Sequence, residues 1–201
     1  MNNQAFLILS TFARSLAHKL RTPLSVISND LYYFKSLLPT AECDRSIERC
    51  RQLSDILSEH TSFGGSELET RRISLTTLMG KAFPLCVVEG DDHNITADEA
   101  RLLQALDVYR QVLIEYIVPE QSEAVVEKSG SSIDATFHFR RLPAKEPLQG
   151  EFSSLTEFSV NVLKTDNLAI PLADALLLAH DVQTKILFAN NVQLCLRFPG
   201  A

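Results

Sequence analysis

His18 lies in the stretch LAHKLRTPLSVI, residues 16–27, which otherwise reads as part of a long helix. At helical spacing Arg14, Arg21, Thr22 and Ser25, at offsets of −4, +3, +4 and +7, share the face of His18. Lys19 follows the histidine directly. Imidazole is a side chain suited to nucleophilic attack near neutral pH. Three cations around it, Arg14, Lys19 and Arg21, would draw an acidic partner or a phosphoryl group. Pro23 is the odd residue. It has no N–H, and its ring crowds the carbonyl of Lys19, at a cost of about 3 kcal/mol inside a helix. A solvent-facing helix gives no packing reason for that strain, so the strain points to function.

The elements that position this face follow from apolar spacing. Phe6, Leu9, Ala13, Leu16, Leu20, Leu24, Ile27, Leu31, Phe34 and Leu38 recur every three or four residues, with one shift in the seam at Pro23. This helix is predicted to end near Pro39. Thr40 is the expected N-cap of a second helix with the seam Cys43, Ile47, Cys50, Leu53 and Leu57. A lone hairpin leaves its seam open, so residues 1–62 are predicted to pair with a second copy in a dimeric four-helix bundle. TSFGGSE, with the only Gly-Gly in the chain, is the expected linker. Beyond it the pattern changes. PLCVVEG reads as a strand, and TADEARLLQALDVYRQVLIEYIV as a long helix with Leu102, Leu106, Tyr109, Leu113 and Ile117 on one face. AVVEKSGSSIDATFHFRR reads as a hairpin turning at 129–132, LAIPLADALLLAHD as a helix, and TKILFANNVQLCLRFP as a hairpin turning at Asn190-Asn191. This order predicts a two-layer α/β sandwich over 68–201, and an α+β chain as a whole.

Net charge is −6, and residues 1–62 account for only +1 of it, with seven Lys/Arg against six Asp/Glu. That balance argues against nucleic acid as a partner. No apolar run approaches the ~20 residues that span a bilayer, and AFLILSTF reads as helix core. No membrane association is expected. Cys43, Cys50, Cys86 and Cys195 lack CxxC spacing and read as buried free thiols, which suits a cytoplasmic setting. His60, His93, His138 and His180 have no partners at ligand spacing, so no metal site is expected. No serine sits in a G-x-S-x-G setting.

HKLRTPLSVI resembles the H-box of sensor histidine kinases, at the His, Leu, Arg, Thr, Pro, Leu and Ile positions. The resemblance implies that His18 is a phosphoacceptor, that two hairpins form a dimeric bundle, and that an α/β sandwich like the kinases' ATP-binding domain follows. It places Thr22 where bifunctional members position water to dephosphorylate a partner. Lys19 stands where the family usually carries an acidic base. A cation cannot accept the imidazole proton, so autophosphorylation of the usual kind is not expected. Arg14, Lys19, Arg21 and Ser25 are the expected partner-binding residues.

DEARLLQALDVYRQVLIEY resembles the family's N-box at Asp98, Arg101, Leu102, Gln104 and Leu106. Its two asparagine positions are Val108 and Val112, and the second normally helps hold Mg²⁺, which needs oxygen ligands. The Gly-rich boxes are absent. Gly130 and Gly150 are the only glycines between Val112 and Gly200, and Asn167 and Ala169 stand where GLGL glycines belong, although His180 matches in place. ATP is therefore not expected to bind, and the chain needs no cofactor of its own. The whole resembles histidine phosphotransferases built on a degenerate kinase scaffold. The implied function is a phosphorelay step in which His18 exchanges a phosphoryl group with receiver-domain aspartates of response regulators or hybrid kinases. The receiver would bring the Mg²⁺. Alternatives are a non-catalytic pseudokinase that docks and modulates a regulator or kinase, an atypical histidine kinase, and a phosphatase centred on Thr22.

Overall fold

Two helices open the chain in the computed structural model, which describes residues 3–38, 40–62, 68–143, 148–165, 167 and 169–200, with backbone only for 3–14, 56 and 58–62. The first, α1 (Asn3–Leu37), runs unbroken through Pro23. The second is α2 (Ala41–Ser62). Thr40 caps α2 as its sequence predicts: its Oγ1 accepts the Cys43 N–H at 3.4 Å, and its carbonyl accepts the Asp44 N–H at 3.4 Å. Glu42 and Asp44 place negative charge on the positive end of α2, and Lys35 in the last turn of α1 pairs with Asp44 across the turn. Pro39 and residues 63–67 of the expected linker lie outside the described residues.

The single apolar seam of the sequence divides in two. Ala17 is buried and Leu24 and Leu31 are half-buried, whereas Leu16, Leu20, Ile27, Phe34 and Leu38 stay exposed. At 100° per residue the exposed set lies roughly 180° from His18 on α1.

The chain falls into two compact units, Leu7–Ser66 and, chiefly, Glu67–Ala201. The second is an α/β sandwich. Its elements are β1 (Arg71–Ser74), α3 (Leu75–Ala82), β2 (Val87–Gly90), β3 (Asn94–Ala97), α4 (Glu99–Leu113), β4 (Ile117–Ser129), β5 (Ser132–Arg141), β6 (Gly150–Phe152), α5 (Leu155–Phe158), a π-turn (Ser159–Leu163), α6 (Ala169–Ala179), β7 (Gln183–Phe188) and β8 (Asn191–Pro199). Strands β1 and β3 pair by themselves; the main sheet has the order β2-β4-β5-β8-β7-β6 and is antiparallel except for β2 against β4. Alternation decides its faces. Ala124, Phe137, Leu194, Ile186 and Phe152 meet in register across five strands, and all are buried. Phe158 stacks on Phe188 at 4.9 Å, with Tyr116 and Phe152 edge-on to both.

Three sequence expectations need correction. Asn94–Ala97 forms strand β3, so the helix starts only at Glu99, and it stops at Leu113; Ile117 opens β4 and does not extend the helical face. The run IEYIVP is β-branched and ends in a proline, which favours strand over helix. The last hairpin turns at Ala189-Asn190, with Asn191 already in β8. Of the cysteines only Cys50 is buried; Cys43, Cys86 and Cys195 are half-buried, and all four are free. Among the described residues no helix is long and apolar enough to cross a membrane.

Candidate functional site

On α1 the residues the sequence singles out share solvent. His18, Lys19, Arg21, Thr22 and Ser25 are all exposed, as is Pro23. The Arg14 side chain lies outside the described residues. Ala17, directly before the histidine, is 2% exposed, so the backbone is anchored on one side and presents the imidazole on another. The Lys19 carbonyl has no proline N–H to receive at position 23. Two residues further on, Ser25 Oγ donates to the Arg21 carbonyl at 2.9 Å, a back-bond of the kind that bends helices. The missing Pro23 N–H and the Ser25 back-bond both fall within residues 19–25, beside His18. Such a surface can present a nucleophile and flanking cations to an anionic partner.

The sandwich unit carries the N-box resemblance. Asp98 caps α4, its Oδ1 accepting the Arg101 N–H at 3.1 Å and its Oδ2 the Glu69 N–H at 3.0 Å. The Asp98 N–H in turn donates to Nε2 of buried His180 at 3.2 Å, while His180 Nδ1 lies 2.7 Å from the Leu176 carbonyl. These partners put the ring proton on Nδ1. His180 thus ties the end of α6 to the start of α4, a structural task that spacing along the chain does not reveal.

Val108 is buried and Val112 half-buried. One residue on, the buried Tyr109 hydroxyl donates to Asp174 and accepts the Leu155 N–H at 3.3 Å. Asp174 also accepts the Thr156 N–H at 2.7 Å, so it caps α5. Burial, then the Asp174 charge, pushes the Tyr109 phenol well above its ordinary value. Ahead of α6, Asn167 Oδ1 accepts the Ala169 N–H at 3.0 Å and its carbonyl the Ile170 N–H at 3.2 Å. Two amides at that helix start, those of Ala169 and Ile170, are thus met by Asn167. Among the described residues no group of three or more His, Cys, Asp or Glu is placed to hold a metal ion.

No family model matches the sequence, and no curated protein matches it. Solved structures do. Full-length ShkA in complex with AMPPNP matches 95% of this chain with a TM-score of 0.57 at 16% identity; the chain spans about half of that protein, 46% of its length. The histidine kinase AdeS of Acinetobacter baumannii matches 90% of this chain over 97% of its own, with a TM-score of 0.53 at 13% identity. ThkA in complex with the response regulator TrrA matches 99% of this chain and 64% of that one, with a TM-score of 0.46 at 17% identity. At these identities the likeness is one of fold. The architecture is a helical hairpin followed by an α/β sandwich like the ATP-binding domain of histidine kinases.

Proposed function

We propose that this chain is a histidine phosphotransferase of two-component signalling. His18 takes a phosphoryl group from the aspartyl phosphate of one receiver domain and passes it to the aspartate of another. The observation that carries this reading is an exposed histidine, flanked by exposed Lys19 and Arg21, on the outer face of a histidine-kinase-like hairpin. In the forward step the P–O bond to the aspartyl oxygen breaks as a P–N bond to the imidazole forms. The aspartate leaves as carboxylate and the ring proton goes to solvent; the return step reverses this. An acyl phosphate is already a good donor, so a base beside His18 is dispensable and Lys19 is tolerated. The receiver brings Mg²⁺ and in-line geometry. Lys19, Arg21 and Ser25, with Arg14, meet its acidic surface. Thr22, one turn from His18, would place water for dephosphorylating the receiver.

In this reading the partners are receiver domains of response regulators or hybrid kinases, and the working form is a homodimer. ATP has no part in it. Valines at 108 and 112 offer no oxygen to Mg²⁺, and Asn167 occupies the amides at the start of α6 that a phosphate would need. Four free thiols suit the reducing cytoplasm.

The test is to incubate the chain with a receiver domain radiolabelled on its aspartate. Acid-labile label should appear on the chain and fall to background, a loss of at least about a hundredfold, in a folded His18→Ala variant. Label persisting in that variant overturns the proposal. Label acquired from the γ-phosphate of ATP alone would reassign the chain as a kinase.

A further inference from the structure

Of the large apolar side chains that the sandwich unit leaves in water, Leu85 at 57%, Val87 at 63% and Ile114 at 44% exposure lie near one another, apart from Val160 and Leu178. Apolar residues scattered singly over a surface are ordinary, but these gather in one place. Leu85 and Ile114 rim a small pocket of about 50 Å³ between the residues leading into β2 and the end of α4, lined also by Phe83, Ile117 and Phe139. Val87 lines a second, wider cleft of about 580 Å³ on the open face of the sheet, with Glu89, Glu120 and Glu123. Ser122 and Phe139 border both, so the pocket and the cleft adjoin at this edge of the sheet and together form a groove around it. β2 is the edge strand of the sheet, which leaves this side uncovered.

The groove is shaped by an irregularity in β4. Val118 pairs with Arg140, yet the next paired residue is Ser122, opposite Phe139; Pro119, Glu120 and Gln121 bulge out of the ladder. Bulges re-aim side chains and recur beside working surfaces. Here the bulge brings Glu120 beside Glu89 and Glu123 in the cleft lining. None of these three carboxylates has an ion-pair partner among the described residues; of the lining arginines, Arg140 in the cleft donates to Gln121 at 2.5 Å and Arg110 in the pocket pairs with Asp107. Cys86 marks where the two halves meet: burial and then the charge of Glu123 push its thiol up to about 11. It stays protonated near neutral pH, so the groove is built to hold and not to react.

We infer that this groove docks an extended segment of a partner protein in which one bulky apolar side chain enters the pocket beside Leu85 and Ile114 while flanking Lys or Arg residues meet Glu89, Glu120 and Glu123. The charge selects the occupant. Phosphate backbones and acidic lipid surfaces are repelled by the unpaired carboxylates. A second copy of the chain, meeting it patch to patch, would set the same carboxylates against each other.

The probe is a fluorescein-labelled peptide with one phenylalanine between two lysine pairs, titrated into the full chain and read by anisotropy. The expected dissociation constant is below about 1 mM. A peptide with glycine for phenylalanine, and one with glutamates for lysines, should each bind at least about tenfold more weakly. Leu85→Ser should cost about tenfold, and a joint Glu89→Gln, Glu120→Gln and Glu123→Gln variant should weaken binding and flatten its salt dependence. Leu85 and the glutamates are exposed, and circular dichroism of each variant checks its fold. Equal affinity for the glycine peptide, unchanged affinity in both variants, or self-association of the chain that Leu85→Ser abolishes would each overturn the inference.

Discussion

Glu99 accepts two cations at once, Arg71 and Lys81, the latter at 2.6 Å. The Lys81 ammonium and the Arg71 guanidinium hold its carboxyl below the usual carboxylate range. A carboxyl depressed on folding stabilises the native state above its unfolded value, and that contribution is lost as pH falls through the lower, folded value. Glu99→Gln should therefore lower the melting temperature at neutral pH and flatten its fall below about pH 4.5. Differential scanning calorimetry across that range checks it; parallel curves for the two proteins would count against the ion pair. The role proposed for His18 rests on its exposure and its neighbours. Its face was legible because a 3.6-residue period places 18, 21, 22 and 25 together whatever the helix packs against. The Tyr109–Asp174 contact was not, since 65 residues separate the two and neither stands in a pattern that announces the other.

The helix α1 accepts a proline in its middle. If the strain serves the histidine face, Pro23→Ala should raise the stability of the hairpin by as much as about 3 kcal/mol while slowing transfer to His18. Urea unfolding followed by circular dichroism reads the first, and receiver-to-His18 label transfer the second; a variant no more stable than the parent would mean the helix is already bent to suit the ring. Long elements announced themselves. The stripe of α1 and the alternation in β5 and β8 are periodic over nine residues or more, enough to fix the type of all three and the buried face of the strands. Strands β1, β3 and β6 and helix α5 have three or four residues each, too few to show any period. Around 113–117 the chain passes from helix to strand with no glycine and no proline before Pro119, so an apolar run fits either period.

For the molecule as a whole, the divided seam bears on assembly. Leu16, Leu20, Ile27 and Phe34 form an exposed apolar stripe away from the histidine, the surface a second hairpin would cover in the proposed dimer. Ile27→Asp, at a residue 49% exposed in the single chain, should leave the fold intact and yield a monomer by light scattering. A dimer unaffected by it would place the interface elsewhere. At the sandwich, the carboxylate of Asp98 grips the Glu69 amide while its own amide is held by His180. One residue is thus a shared fastening for the incoming chain, the root of α4 and the tip of α6. Whatever shifts Glu69 therefore acts first on the residue that also roots α4 and holds the tip of α6, through three separate polar atoms of Asp98.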